Sequence, residues 1–298
     1  LAMKKVQQFC DVGLNVLFVC FNSALADYLE TRLYDAKVAN FHGLCHQAAV
    51  QLGRNVNRET DQKKLFEEVY PQILLEFAEE TGRVYDAIVV DEGQDFHENY
   101  WIALESLLKS DGYLFIFYDD NQNIFHGSTS FGGLIQEAPF SLNQNCRNTK
   151  FIHNTVMKFH SDPTGITSYA PEGREPEWII YDDTAGMNKA LQKVLHRLVN
   201  EENVSSQDIV ILTPKGMNRS SLKPGLKLGN FTLSDRSTAK PTDIMVTTIQ
   251  RFKGLERKVV IITELDPSIR YDLDMLMYIG CSRARTHLIV LHDVALSF

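Results

Sequence analysis

The chain has no long hydrophobic run. Its longer apolar stretches, such as residues 16–21 and 113–118, fall far short of the ~20 residues a membrane helix needs, which excludes a helical membrane span. The lysines at 4 and 5 precede Gln7 and Gln8 rather than an apolar core, so no secretory leader is expected. Cysteine is scarce. The five thiols, at 10, 20, 45, 146 and 281, are odd in number and lack CxxC spacing, which excludes a disulfide framework and points to reduced thiols in the cytoplasm. There is no short-period repeat and no low-complexity tract. Hydrophobic residues make up 44% of the 298 and charged residues 23%, a balance that excludes a disordered chain, a collagen or a coiled-coil rod.

What is there begins with charge. The net charge of −8 disfavours a simple nucleic-acid coat protein. Residues 1–138 hold 10 Lys and Arg against 21 Asp and Glu, whereas residues 139–298 hold 20 against 17. Such a shift fits a domain boundary near 137–139. The most basic stretch, residues 215–240, reads either as a solvated loop or as a track for phosphates.

Short apolar runs alternate with amphipathic segments. Strands are expected over 16–21, 37–41, 85–90, 114–118, 177–181, 209–212, 244–248, 259–263 and 288–291. Helices are expected over 24–33, 44–52, 62–80, 100–108, 150–159, 185–200 and 273–283. Apolar strands alternating with helices imply parallel sheets covered on both faces, in which ligands bind beyond the carboxyl ends of strands.

Two of those strand ends carry acids. The run from Ile88 to Val90 delivers Asp91 and Glu92, followed by Gly93, Gln94 and Asp95. Mg²⁺ takes one or two carboxylates together with water and phosphate oxygens. Adjacent acids can divide labour, one holding the metal and the other deprotonating water. The plain alternative is an acidic turn with Asp95 as a helix N-cap. The run 115–118 likewise ends in Asp119, Asp120, Asn121 and Gln122, which reads alternatively as an Asx-rich turn. His42, Cys45 and His46 have helical spacing, but a structural zinc wants a fourth ligand and none is near. Arg283 and Arg285 read alternatively as charges near a helix C-terminus. Met275 and Met277 read as core fillers.

The order of these segments resembles the UvrD/Rep-like superfamily 1 helicases almost end to end. Residues 17–22 resemble that family's motif Ia, 41–45 motif Ib, 91–95 motif II and 119–125 motif III. Residues 142–149 resemble motif IV, 247–256 motif V and 278–285 motif VI. The phrasing around Asp91 and Asp119 is closest to compact relatives fused to an upstream nuclease-related domain.

The resemblance implies two RecA-like P-loop NTPase domains of α/β type, over 1–138 and 139–298, forming an ATP-dependent helicase or translocase that uses Mg²⁺ and moves on single-stranded DNA, or on RNA. Asp91 would hold the metal and Glu92 would activate water. Gln122 would contact the γ-phosphate. Arg147 and Arg283 would neutralise transition-state charge across a cleft, a role worth ~10³–10⁵ in rate in phosphoryl transfer. Gly254 and Glu256 would meet the nucleotide's ribose, with Lys253 and Asp95 also at the nucleotide. Phe21, Asn22, Phe41, His42, Thr248 and Gln250 would line the single strand, and Phe125 would stack on bases.

Two departures accompany the resemblance. GxxxxGK[ST] does not occur in the 298 residues. The expected place for it is upstream of Leu1, so the first domain is expected to lack its opening strand and P-loop here, leaving the fragment inactive on its own. Residues 44–84 and 150–246 leave little room for accessory domains, which argues against strongly processive unwinding. Two other classes remain open on the residues: a nucleic-acid-binding or regulatory module with a decayed nucleotide site, and a Mg²⁺-dependent nuclease using Asp91, Glu92 and Asp95.

Overall fold

The apolar runs at 16–20, 87–90, 209–212 and 259–262 become strands buried on both faces, whereas the expected runs at 114–118 and 177–181 stay partly exposed, with Phe115 and Ile180 at the surface. The computed structural model describes residues 1–56, 59–119, 122, 138–238, 240–269 and 271–298. The chain divides into two units, Leu1–Phe140 and Ser141–Phe298.

In the first unit α1 (Ala2–Asp11) leads to β1 (Val16–Cys20), every residue of which is buried. Helix α2 (Ser23–Glu30) starts where Asn22 Oδ1 accepts from Ala24 N at 2.9 Å. Strand β2 (Lys37–Asn40) runs straight into α3 (Phe41–Gln51), whose N-cap Asn40 accepts from Gly43 N. The expected helix over 62–80 is present but not uniform. Its opening turn α4 (Gln62–Lys64) passes through a π segment, Leu65–Val69, into α5 (Tyr70–Thr81). Strand β3 (Tyr85–Asp91), a 3₁₀ turn at Gly93–Asp95, α6 (Glu98–Glu105) and β4 (Leu108–Ile116) complete the unit. The sheet order is β2-β1-β3-β4, all parallel. Strand β4 starts six residues before the expected run at 114. Lys109, Ser110 and Asp111 carry no apolar signal, and β4, the edge of this sheet among the described residues, tolerates them.

The second unit opens with β5 (Gln144–Asn145), α7 (Lys150–Met157), β6 (Thr167–Ser168) and β7 (Glu177–Tyr181). Helix α8 (Thr184–His196) continues into a π segment, Arg197–Glu201. Then follow β8 (Ile209–Thr213), β9 (Lys227–Leu228), β10 (Phe231–Ser234), β11 (Asp243–Thr248), β12 (Arg257–Leu265), α9 (Leu273–Ser282) and β13 (Ala284–Asp293). The main sheet runs β7-β13-β12-β8-β11-β10-β9 and is parallel except where β9 meets β10. The basic stretch 215–240 is therefore not wholly loop: its later part forms the β9–β10 edge. Each unit has its own hydrophobic core.

Candidate functional site

In the first unit the chain leaves β1 toward β2 and leaves β3 toward β4, so the sheet reverses its strand order between β1 and β3. That is where open α/β sheets take ligands. Asp91 sits there, opposite Cys20 in register. Burial pushes the Cys20 thiol up strongly, helped by the charges of Asp91 and Glu92. Glu92 is left-handed, with φ of 58°, a conformation that costs a non-glycine residue of the order of 1 kcal/mol and must be held by its surroundings.

Gln94 bonds the Glu92 side chain. The Gln94 amide is buried; its Nε2 donates to Glu92 Oε2 at 2.7 Å and its Oε1 accepts from Asp119 N at 3.0 Å. Gln122 Nε2 donates to Asp119 Oδ2 at 2.6 Å. A relay therefore runs from Glu92 through Gln94 and Asp119 to Gln122. Glu92 and Gln122, its two ends, are among the expected site residues; Asp119 is expected only as a strand-end acid, and the part Gln94 plays between them follows from the adjacency of β3 and β4. Gly93 is required between them, because a Cβ there would stand 2.6 Å from Ile116 Cγ2. Asp95 is buried and is not a helix cap; His97 caps α6, its Nδ1 accepting from Asn99 N.

The expected strand-contacting residues separate into two groups. Phe21, after β1, is partly buried, and Asn22 is spent on capping α2. Phe41 presents no surface: it is fully buried and stacks on Tyr100 with centroids 4.0 Å apart. His42 is enclosed by rings, stacked on Phe66 at 4.4 Å and edge-on to Phe21 at 5.3 Å, with Nε2 3.1 Å from Tyr100 Oη. Burial lowers its pKa to about 4, so it is neutral at physiological pH. Phe125 lies outside the described residues. Among the described residues no group of three or more His, Cys, Asp or Glu is placed to hold a metal ion, His42, Cys45 and His46 included.

In the second unit three distant segments are stitched together by direct hydrogen bonds. Asn145 Oδ1 accepts from Arg147 N at 2.9 Å and Asn148 N at 3.3 Å. The buried Asn148 Nδ2 donates to Ser282 O at 3.0 Å and Ala284 O at 2.6 Å. Thr149 N donates to Arg285 O, and Arg257 N to Arg283 O. The segments around 147, 256 and 284 thus form one patch: Asn148, absent from the expected site, joins the first to the third, Arg257 N joins the second to the third, and Asn145 shapes the turn that carries Arg147.

On that patch Arg147 Nε pairs with Glu256 Oε2 at 3.1 Å. Gly254, two residues before, is left-handed with φ of 81°. Lys253 is buried. Arg283 caps the end of α9 and is buried: Nε donates to Ile279 O at 3.0 Å and Nη2 to Ser282 Oγ at 2.7 Å. Arg285 stands not at the helix end but on β13. Thr248 ends β11 and Gln250 lies in the turn after it; Thr248 Oγ1 accepts from Arg251 N at 3.0 Å and Gln250 O from Lys253 N at 3.3 Å.

The chain resembles the crystal structure of the C-terminal domain of a possible DNA helicase from Lactobacillus plantarum WCFS1. The two are 19% identical over 51% of this chain and 89% of that one, with a TM-score of 0.39. No curated protein matches the sequence. No helix among the described residues is long and apolar enough to cross a membrane. Residues 243–291, from the start of β11 almost to the end of β13, match the family model of the UvrD-like helicase C-terminal domain.

Proposed function

We propose that the chain is the core of an ATP-dependent nucleic-acid translocase of the UvrD-like kind, with two RecA-like domains corresponding to residues 1–138 and 139–298. The observation that carries this reading is the patch of the second unit. Asn148 and Arg257 tie together three segments far apart in sequence, and the patch gathers Arg147, Glu256 and Arg283 onto the part of the chain that matches the helicase family. Guanidinium groups are the side chains of choice for phosphate oxygens, because their planar donors match that geometry.

The residues of the first unit fit Mg²⁺ arriving with a phosphate. Asp91 offers a carboxylate at a strand end, and no protein-only cage is needed for an ion that keeps most of its water and phosphate ligands. Mg·ATP, when bound, supplies the phosphoanhydride whose hydrolysis drives movement. Glu92, aimed by Gln94, takes the proton from the attacking water. Gln122, linked to the same relay, orients that water at the terminal phosphate. On the second unit, half-exposed Arg147 is the guanidinium offered to a phosphate's negative charge, and Arg283, buried at the end of α9, supports that patch from beneath. Asp95 in the first unit, and Gly254, Glu256 and Lys253 in the second, are each proposed as nucleotide-contacting or supporting residues of their own unit.

Phe21 and Asn22 in the first unit, and Thr248 and Gln250 in the second, are each proposed to contact single-stranded nucleic acid, DNA before RNA, with Phe125 as a further stacking candidate. Phe41 and His42 would support the first-unit pair from beneath. A base-stacking track needs no sequence readout.

In the full-length protein, Glu92→Gln is expected to abolish DNA-stimulated ATP hydrolysis while leaving nucleotide affinity within about twofold. Phosphate release beside calorimetric titration with ATP reads both. Equal hydrolysis rates in variant and parent would remove Glu92 from the role and favour a binding or regulatory module.

A further inference from the structure

Glu256 has two cationic neighbours. Arg147 Nε stands 3.1 Å from Oε2, and Arg285 Nε stands 3.4 Å from Oε1 of the same carboxylate. The backbones that carry them are pinned: Thr149 N to Arg285 O, Arg257 N to Arg283 O, and Asn148 Nδ2 to Ala284 O. The side chains themselves are 41–54% exposed. The backbone is thus fixed while the charged tips can re-pair.

One carboxylate balances one guanidinium in full, not two. Exposed ion pairs are weak enough to exchange with an incoming anion. If Arg147 left a Glu256 that had no other partner, the carboxylate would be stranded, and that would oppose the departure. With Arg285 in place, Glu256 remains paired whichever way Arg147 turns. The placement also suits the division of labour: Arg285 projects from β13, whereas Arg147 sits in the segment between β5 and α7.

We propose that Glu256 is a counter-ion shared by Arg147 and Arg285, and that Arg285 is a positioning residue that keeps Glu256 paired while Arg147 is handed to the oxygens of a polyphosphate ligand. The hand-over rests on the reading in which Arg147 meets phosphate; the sharing does not.

Two measurements on the ¹⁵N-labelled chain separate these. The first is hydrogen exchange at the Arg147 Nε–Hε signal, which needs no ligand. Arg285→Ala is expected to slow it roughly threefold, the scale of an exposed ion pair, because Glu256 then serves Arg147 alone, while Arg285→Lys stays near the parent value. The second is calorimetric titration with sodium triphosphate. Arg285→Ala is expected to weaken binding roughly threefold in the parent and to change little in a Glu256→Gln background.

An unchanged Arg147 signal in Arg285→Ala overturns the sharing. Equal weakening of triphosphate binding in both backgrounds overturns the hand-over, because Arg285 is then only a distant attractor of anions. A parent chain that binds no triphosphate, while Arg147 still responds, leaves the sharing intact and removes the phosphate reading together with the hand-over.

Discussion

At the scale of single residues, His42 shows how far tertiary surroundings can displace a side chain's chemistry. Its neighbours in sequence read as a helix start facing a ligand track. Its neighbours in space are Phe21, Phe41, Phe66, Tyr70 and Tyr100, and burial brings its pKa from 6.5 to about 4. The sign of the pH effect follows. Between these values the unfolded chain binds the proton and the folded one does not, so stability rises with pH there and is lost as pH falls from about 6.5 toward 4. The shift corresponds to about 3 kcal/mol at most. Urea unfolding at pH 7 and pH 4.5 is expected to show a shallower loss in His42→Phe than in the parent. Parallel losses would mean that other groups carry the acid sensitivity. Gln94 teaches the complementary lesson. It stood in plain view in the Asp-Glu-Gly-Gln-Asp string, yet its task of bonding Glu92 and reaching Asp119 depends on β4 lying beside β3, which no local pattern states.

At the scale of elements, legibility followed burial. Strands covered on both faces, such as β1 and β8, read as unbroken apolar runs with abrupt ends, because nothing polar is tolerated along them. Edge elements did not. The start of β4 and the β9–β10 hairpin carry polar residues, which an edge admits. The exits of β8 and β12 were also silent. Glu264, left-handed at φ of 58° and buried, accepts from Thr213 Oγ1 and Ser220 Oγ at 2.6 Å each, and from Ser221 N and Oγ at 2.7 and 2.8 Å. Beside it Lys215 pairs with Asp266. This knot fastens the end of one strand to the loop that leaves the other. Glu264→Ala would take this acceptor from the buried Thr213 and Ser220 hydroxyls, at a cost of about 2 kcal/mol, while the Ser221 donors can turn to water. Glu264→Gln, which keeps the shape and lets the hydroxyls turn, is expected to cost less. Chemical denaturation of both variants measures this, and equal losses would show that charge rather than shape holds the knot.

At the scale of the whole molecule, each unit carries a separate core and, by chance of composition, a separate tryptophan. Trp101 is almost fully buried in the first core, and Trp178 lies on β7 in the second unit near Phe298 and His292. Trp101→Phe and Trp178→Phe therefore leave chains whose fluorescence reports one unit each. Their urea midpoints are expected to differ, because cores of different composition seldom share a stability. Superimposable curves would mean one cooperative transition.

The uneven burial of the thiols gives an unplanned handle. Burial pushes up Cys20, Cys45 and Cys281 strongly and Cys10 to a lesser degree, which keeps each in its unreactive protonated form, whereas Cys146 is exposed. A maleimide dye will therefore settle first one residue away from Arg147. The polypeptide comes ready for a single fluorophore placed where a guanidinium is proposed to change partners, with no engineered cysteine.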